Sequence, residues 1–295
     1  MKFKQFLLET DVEDNVLEKI IKHVNPTYLD AFLDASSDLN DLKKNFIFRG
    51  SHSKAIIRNH PEGRKSANTS NEFTFLVDNF LPSWRDYPAR SESFICSTSP
   101  NTAAAYGDIY YVLPFGNPYI GVCSENDIWY SFPNIEELDK GGSNVPNINY
   151  ALLEINHLIE LNNENDNDDD FEIGIDTVEE LKEIIARAEL LVKDKTRMKK
   201  MMARLNDRSQ NNSQSDIALE ILHRSRLHGG FIQGLDSLLD PKENNFKLML
   251  PVKLLESKYF DKEVWFSSQA AFLPAEKVKE LERIKERIKN LKGKK

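Results

Sequence analysis

Three short segments, far apart in the chain, combine residue types suited to cleaving a nucleotide. Phe46-Ile47-Phe48-Arg49-Gly50 reads as an apolar strand that ends in a permanently charged guanidinium, with a glycine behind it that lets a ligand approach the backbone. A guanidinium gives forked, charge-assisted bonds, and a pyrophosphate is its natural partner. Ser93-Phe94-Ile95-Cys96 runs into Ser97, Thr98 and Ser99, hydroxyls that can orient a ribose or a carboxylate before Pro100 breaks the strand. The small residues after Pro100 suit a short helix that projects Tyr106 over a cleft, where a flat heterocycle could stack. In Asp261-Lys262-Glu263-Val264-Trp265-Phe266 the two acids are one residue apart, so on a strand they share a side and Glu263 faces the cleft. Singly, the segments also fit a surface arginine, a half-exposed hydroxyl strand and a polar strand start.

In the order Arg-Gly, Ser-Thr-Ser, then acid-x-Glu-Val, they resemble the arginine-serine-glutamate branch of the ADP-ribosyltransferase superfamily, over residues 45–133 and 245–273. The resemblance implies an α+β fold with a split β-sheet core, NAD as co-substrate, and transfer of ADP-ribose to a macromolecule. It gives Arg49, with Gly50, the NAD phosphate and ribose. Ser97, with Thr98 and Ser99, would hold the nicotinamide ribose and support the acid, and Glu263 would bond the ribose 2′-hydroxyl. Tyr106 completes the expected cofactor-binding set. Breaking the nicotinamide–ribose bond develops positive charge on the sugar, so a fixed carboxylate beside it stabilises the transition state. One position departs from the family: arginine-modifying members carry glutamate two residues before the catalytic one, and others glutamine, whereas here Asp261 is a methylene shorter. It is the expected acceptor-positioning residue, and the acceptor stays open, with protein preferred and nucleic acid as the alternative. A wider pattern, Arg90-Ser91, Ser93-Phe94, Thr98-Ser99, Ala105-Tyr106-Gly107, Pro114-Phe115-Gly116 and Asp127-Ile128, is similar to uncharacterised proteins of large tailed bacteriophages, which implies action in the host cytoplasm or packaging with the virion.

The elements that must position these residues follow from periodicity. Thr10 and Glu13 have capping-box spacing ahead of an apolar face of Val12, Val16, Leu17, Ile20, Ile21 and Val24, which predicts a helix ending near Pro26. Tyr28, Leu29, Phe32, Leu33, Leu39 and Leu42 extend the pattern into a second helix, giving an N-terminal helical segment over 1–44. The catalytic domain is expected over 45–274. Short strands are predicted at 94–96, 109–113, 119–122, 128–132, 246–252 and 259–266. Within that domain an insertion at about 150–215 contains a helix capped by Thr177 and Glu180, between two polar stretches, Asn162–Asp170 and Ser209–Ser215, that read as exposed loops. A helix after Asp216 ends at Gly229-Gly230. Val278, Leu281, Ile284, Ile288 and Leu291 give the basic helix at 275–295 an apolar seam, expected to dock on its own domain rather than dimerise.

Composition sets the outer limits. A 40% hydrophobic content over 295 residues is enough for a sizeable core. The two cysteines, Cys96 and Cys123, have no CxxC or His/Cys neighbours, so neither a disulfide framework nor a metal site is signalled. His52 stands close enough to Arg49 to line the same cleft. No long apolar run suggests a membrane span, and a soluble, cytoplasmic protein is expected. A net charge of −8 disfavours unspecific nucleic-acid binding, although residues 275–295 carry nine Lys/Arg against four Asp/Glu. Lys54, Arg58, Arg64 and Lys65 make the stretch after Arg49 basic as well, fitting either a contact to phosphate or nucleic acid or a solvated loop. The oligomeric state is not fixed by any of these features. Two other functions fit the residues: a binding or virion protein that keeps the fold without catalysis, and an NAD glycohydrolase.

Overall fold

The computed structural model describes residues 15–36, 45–64, 71–136, 148–161, 175–209 and 213–292. The fold is α+β, and the chain divides into two compact units. One comprises Met1–Glu62, Glu92–Asn126 and Lys247–Lys295, and the other Gly63–Ser91 and Asp127–Phe246. This differs from the expected layout. Both terminal helical segments belong to the first unit, and the helical part is a unit of its own, wider than an insertion at about 150–215.

The first unit holds every strand among the described residues: β1 (Phe48–Ser51), β2 (Ile57–Arg58), β3 (Phe94–Ser97), β4 (Asp108–Pro114), β5 (Ile120–Val122), β6 (Lys247–Met249), β7 (Glu263–Phe266) and β8 (Ala270–Leu273). They form one antiparallel sheet in the order β2-β8-β4-β1-β3-β7-β5-β6. Its weak joint lies between β1 and β3, which pair at a single position, Phe48 opposite Ser97. The sheet curls about this joint. Phe94 on β3 and Phe272 on β8 have ring centroids 5.2 Å apart, whereas a flat sheet would hold strands three places apart about 14 Å from each other. The enclosed face carries Ile47, Cys96, Tyr110, Val112, Val264 and Phe266 beside those two rings.

Helices cover the opposite face. Residues 15–23 form α1, and α2 is Pro26–Ser36; Leu17, Ile20, Leu29 and Phe32 from this pair pack with Phe48, Leu113, Ala271 and Leu273 of the sheet. Thr10, Val12, Glu13, Leu39 and Leu42 lie outside the described residues. The C-terminal helix brings Val278, Leu281 and Ile284 into the same cluster, so its seam docks on its own unit as expected. Burying these three side chains contributes about 6 kcal/mol at most.

In the second unit, α3 is Glu72–Asn79, a helix not among the predicted elements. The expected strand at 128–132 is a 3-10 turn, Ile128–Ser131, because the Asp127 carboxylate accepts the Trp129 N–H at 3.0 Å and its carbonyl accepts the Ser131 hydroxyl at 2.7 Å. There follow α4 (Pro100–Ala104, in the first unit), α5 (Pro133–Glu136), α6 (Ile148–Leu161), α7 (Val178–Lys193), α8 (Lys195–Ser209), α9 (Ser213–His228) and α10 (Phe231–Leu238). The Thr177/Glu180 capping box opens α7, and Gly229, with φ of 81°, ends α9. Ser213–Ser215, read as loop, starts α9 instead, and the buried Ser215 hydroxyl donates to Glu154 at 2.7 Å. Asn162–Asp170 lies outside the described residues. Back in the first unit, α11 (Pro251–Leu255) cuts short the strand expected at 246–252, since Pro251 favours a helix start. Among the described residues no helix is long and apolar enough to cross a membrane.

Candidate active site

β1, β3 and β7 are neighbours in the sheet, so the three segments singled out in the sequence converge on its joint. Ser97 lies directly opposite Glu263 across β3 and β7, and Phe48 lies opposite Ser97 across β1 and β3. Directly opposed residues share a face. Ser97 and Glu263 are therefore side by side, and both are buried.

Arg49, one residue after Phe48, leaves β1 from the other face, together with its partner Tyr110. Its guanidinium sits 6.0 Å from the Phe94 ring centroid and donates to the Ile95 carbonyl oxygen. That carbonyl belongs to the part of β3 that β1 has ceased to pair with, so the side chain satisfies an acceptor the ladder leaves open. The Cys96 thiol, on the Arg49 face, feels both charges. Burial pushes it up to about 12, against a hydrogen bond and charge from Arg49, with Glu263 adding to the rise. Arg49 and Glu263 are thus within electrostatic reach of one atom while their side chains leave opposite faces. Arg49 therefore does not share the sheet face of Ser97 and Glu263.

Glu263 is held at three points. Its N–H donates to the Glu125 carbonyl at 3.1 Å, its carbonyl accepts from Cys123 N at 2.9 Å, and the buried Cys123 thiol stands 3.6 Å from its Oε1. Ser97 Oγ accepts the Ser99 N–H at 3.0 Å, and the serine proton is not engaged by any described residue, so it can still donate.

The other hydroxyls have structural duties. Thr98 donates to the Tyr259 carbonyl at 2.6 Å and accepts the Lys262 N–H at 2.8 Å, which ties the end of β3 to the turn before β7. Its one donor is spent, so a ligand could meet this hydroxyl only by donating to its remaining lone pair. Ser99 caps α4 by accepting from Thr102 N. Gly50 also has a different role from ligand approach: a Cβ there would lie 2.0 Å from the Ala103 carbonyl oxygen, so the glycine lets α4 pack against β1. Tyr106, two residues past that helix, is 57% exposed. Asp261 is not on the strand. It occupies a turn with φ of 53°, so strand alternation does not relate it to Glu263, and its carboxylate accepts the Thr102 hydroxyl at 2.8 Å.

His52 is exposed and packs near Gly107. Arg58, one of the two readings of the basic stretch, belongs to β2 and lies 3.9 Å from the Phe272 ring centroid rather than in a solvated loop. Cys123, Thr102 and Arg58 each touch the site's framework, through Glu263, Asp261 and Phe272 respectively, and no local sequence pattern marks those contacts. Comparison with protein-family models, with curated proteins and with solved structures finds no match to this chain.

Proposed function

We propose that the protein is a mono-ADP-ribosyltransferase that cleaves NAD at the nicotinamide–ribose bond and transfers ADP-ribose to a macromolecule. The observation that carries this reading is the direct opposition of Ser97 and Glu263 at the joint of a curled sheet, with the Arg49 strand on its other side. A buried carboxylate pinned through its backbone is a preorganised stabiliser for a cationic ribose, because it needs no reorientation as charge develops. Ser97 keeps a donor for that carboxylate or for a ribose hydroxyl. Arg49 supplies the charge for the diphosphate. Asp261, held by Thr102, orients an acceptor only if that bond is released. A protein acceptor is preferred, with nucleic acid as the alternative, and a phage origin would place the reaction in the host cytoplasm or the virion.

One observation favours a second reading, a protein that keeps the fold without catalysis: Arg49 is already engaged by the Ile95 carbonyl. Incubation with NAD labelled in its adenylate half, with and without bacterial lysate, separates the readings. Label on a macromolecule supports transfer; nicotinamide release without label supports a glycohydrolase; neither, with no heat of NAD binding, overturns both catalytic readings.

A further inference from the structure

Arg49 and Arg58 stand on one face of the curled sheet. Arg49 is opposite Tyr110, Val112 is opposite Phe272, and Arg58 is opposite Ala270, so the alternation along β4 and β8 brings both guanidinium stems to the enclosed face. They share an aromatic floor. Arg58 lies 3.9 Å from the Phe272 ring centroid and 5.4 Å from that of Tyr110, Arg49 lies 6.0 Å from that of Phe94, and Phe94 packs on Phe272 edge-on.

Among the described residues both guanidiniums are held by neutral groups. Arg58 donates from Nε to the Ala55 carbonyl at 2.9 Å, from Nη1 to Ser51 Oγ at 2.7 Å and from Nη2 to the Ser53 carbonyl at 2.6 Å. Arg49 donates to the Ile95 carbonyl. Among the described residues neither is paired with a carboxylate. A guanidinium has five N–H donors, so each arginine keeps at least two unspent. The two like charges also disfavour each other: Arg58 is lowered by burial, with Tyr110 opposing and the Arg49 charge adding to the fall. Oriented, half-buried, mutually repelling cations with spare forked donors make a site that an anion of two charges would complete.

We propose that Arg49 and Arg58 together form one binding site for a diphosphate group. That the diphosphate belongs to a dinucleotide rests on the NAD reading above; the paired site itself does not. Arg58, not Arg49 alone, then fixes the diphosphate against β1 and β2.

The test uses the full chain with 15N-labelled arginine, titrated with inorganic pyrophosphate and, separately, with ADP-ribose. Arg49→Lys and Arg58→Lys assign the two Nε–H resonances. Both resonances of the wild type should shift along one saturation curve, and calorimetry should give binding about 10- to 100-fold weaker for Arg58→Gln. Because Arg58 also anchors residues 51–55, the wild-type shifts decide the matter even if Arg58→Gln melts early. Pyrophosphate that moves the Arg49 resonance but not that of Arg58, or neither, overturns the paired site. If NAD is bound and cleaved while Arg58 stays silent, the transferase reading stands and the paired site falls. If pyrophosphate moves both resonances while ADP-ribose binds no more tightly, the paired site stands and the dinucleotide falls.

Discussion

Gly50→Ala tests whether the candidate site depends on close packing of α4 against β1. The added Cβ would lie 2.0 Å from the Ala103 carbonyl oxygen and 2.9 Å from the Tyr106 carbonyl carbon, both backbone atoms that cannot rotate away. Ordinary contact begins at 3.4 Å, so the helix must retreat by about 1.4 Å. Overpacking of this kind costs about 3 kcal/mol, which lowers the melting temperature by about 10 °C for a unit of this size. The retreat also carries away Ser99, Thr102 and Tyr106. Gly116→Ala is the control: φ is 72° there but nothing lies within 4 Å of the added atom. Its cost is the left-handed penalty alone, about 1 kcal/mol, or about 3 °C. Thermal unfolding followed by circular dichroism reads both. A Gly50→Ala protein that melts no lower than Gly116→Ala would refute the packing argument.

Other outcomes follow from the same contacts. Cys96 keeps its proton in the folded state up to about 12, against an ordinary 9.0, so its contribution to stability is complete below pH 9 and is lost as pH rises toward 12. Denaturant titrations should show stability falling across that window by up to about 1.4 kcal/mol per pH unit, and Cys96→Ala should flatten the slope. Thr177→Ala removes half of the capping box of α7 and should cost about 1 kcal/mol in urea unfolding. Thr102→Val deletes the hydroxyl that holds Asp261 and should cost about 1 kcal/mol. Under the proposed transferase function, this variant should change the yield on the acceptor more than it changes nicotinamide release.

Much of this architecture was legible in the residues. The strands at 94–97, 108–114 and 263–266, the caps of α7 and α9 and the docked seam of the C-terminal helix follow from alternation, capping pairs and helical spacing, all of them local signals. The adjacency of β1, β3 and β7 follows the motif order. Faces were harder. The phase of Arg49 relative to Ser97 depends on a register set where two strands part, and no local pattern encodes it. Hydroxyls at 98 and 99 and the glycine at 50 look the same in sequence whether they meet a ligand or a neighbouring turn; only the contacts with residues 259–262 and Ala103 decide. Asp127 turned an apolar, aromatic run into a 3-10 turn because one carboxylate outweighed four residues of β preference.

The most direct test of the proposed chemistry is nicotinamide release from NAD by wild type and Glu263→Gln, with melting curves for both. The substitution removes a charge and keeps the shape. Loss of about 3 kcal/mol of transition-state stabilisation corresponds to turnover slowed roughly a hundredfold, with the fold intact. Equal rates for two equally folded proteins would contradict a catalytic role for Glu263, and with it the transferase reading.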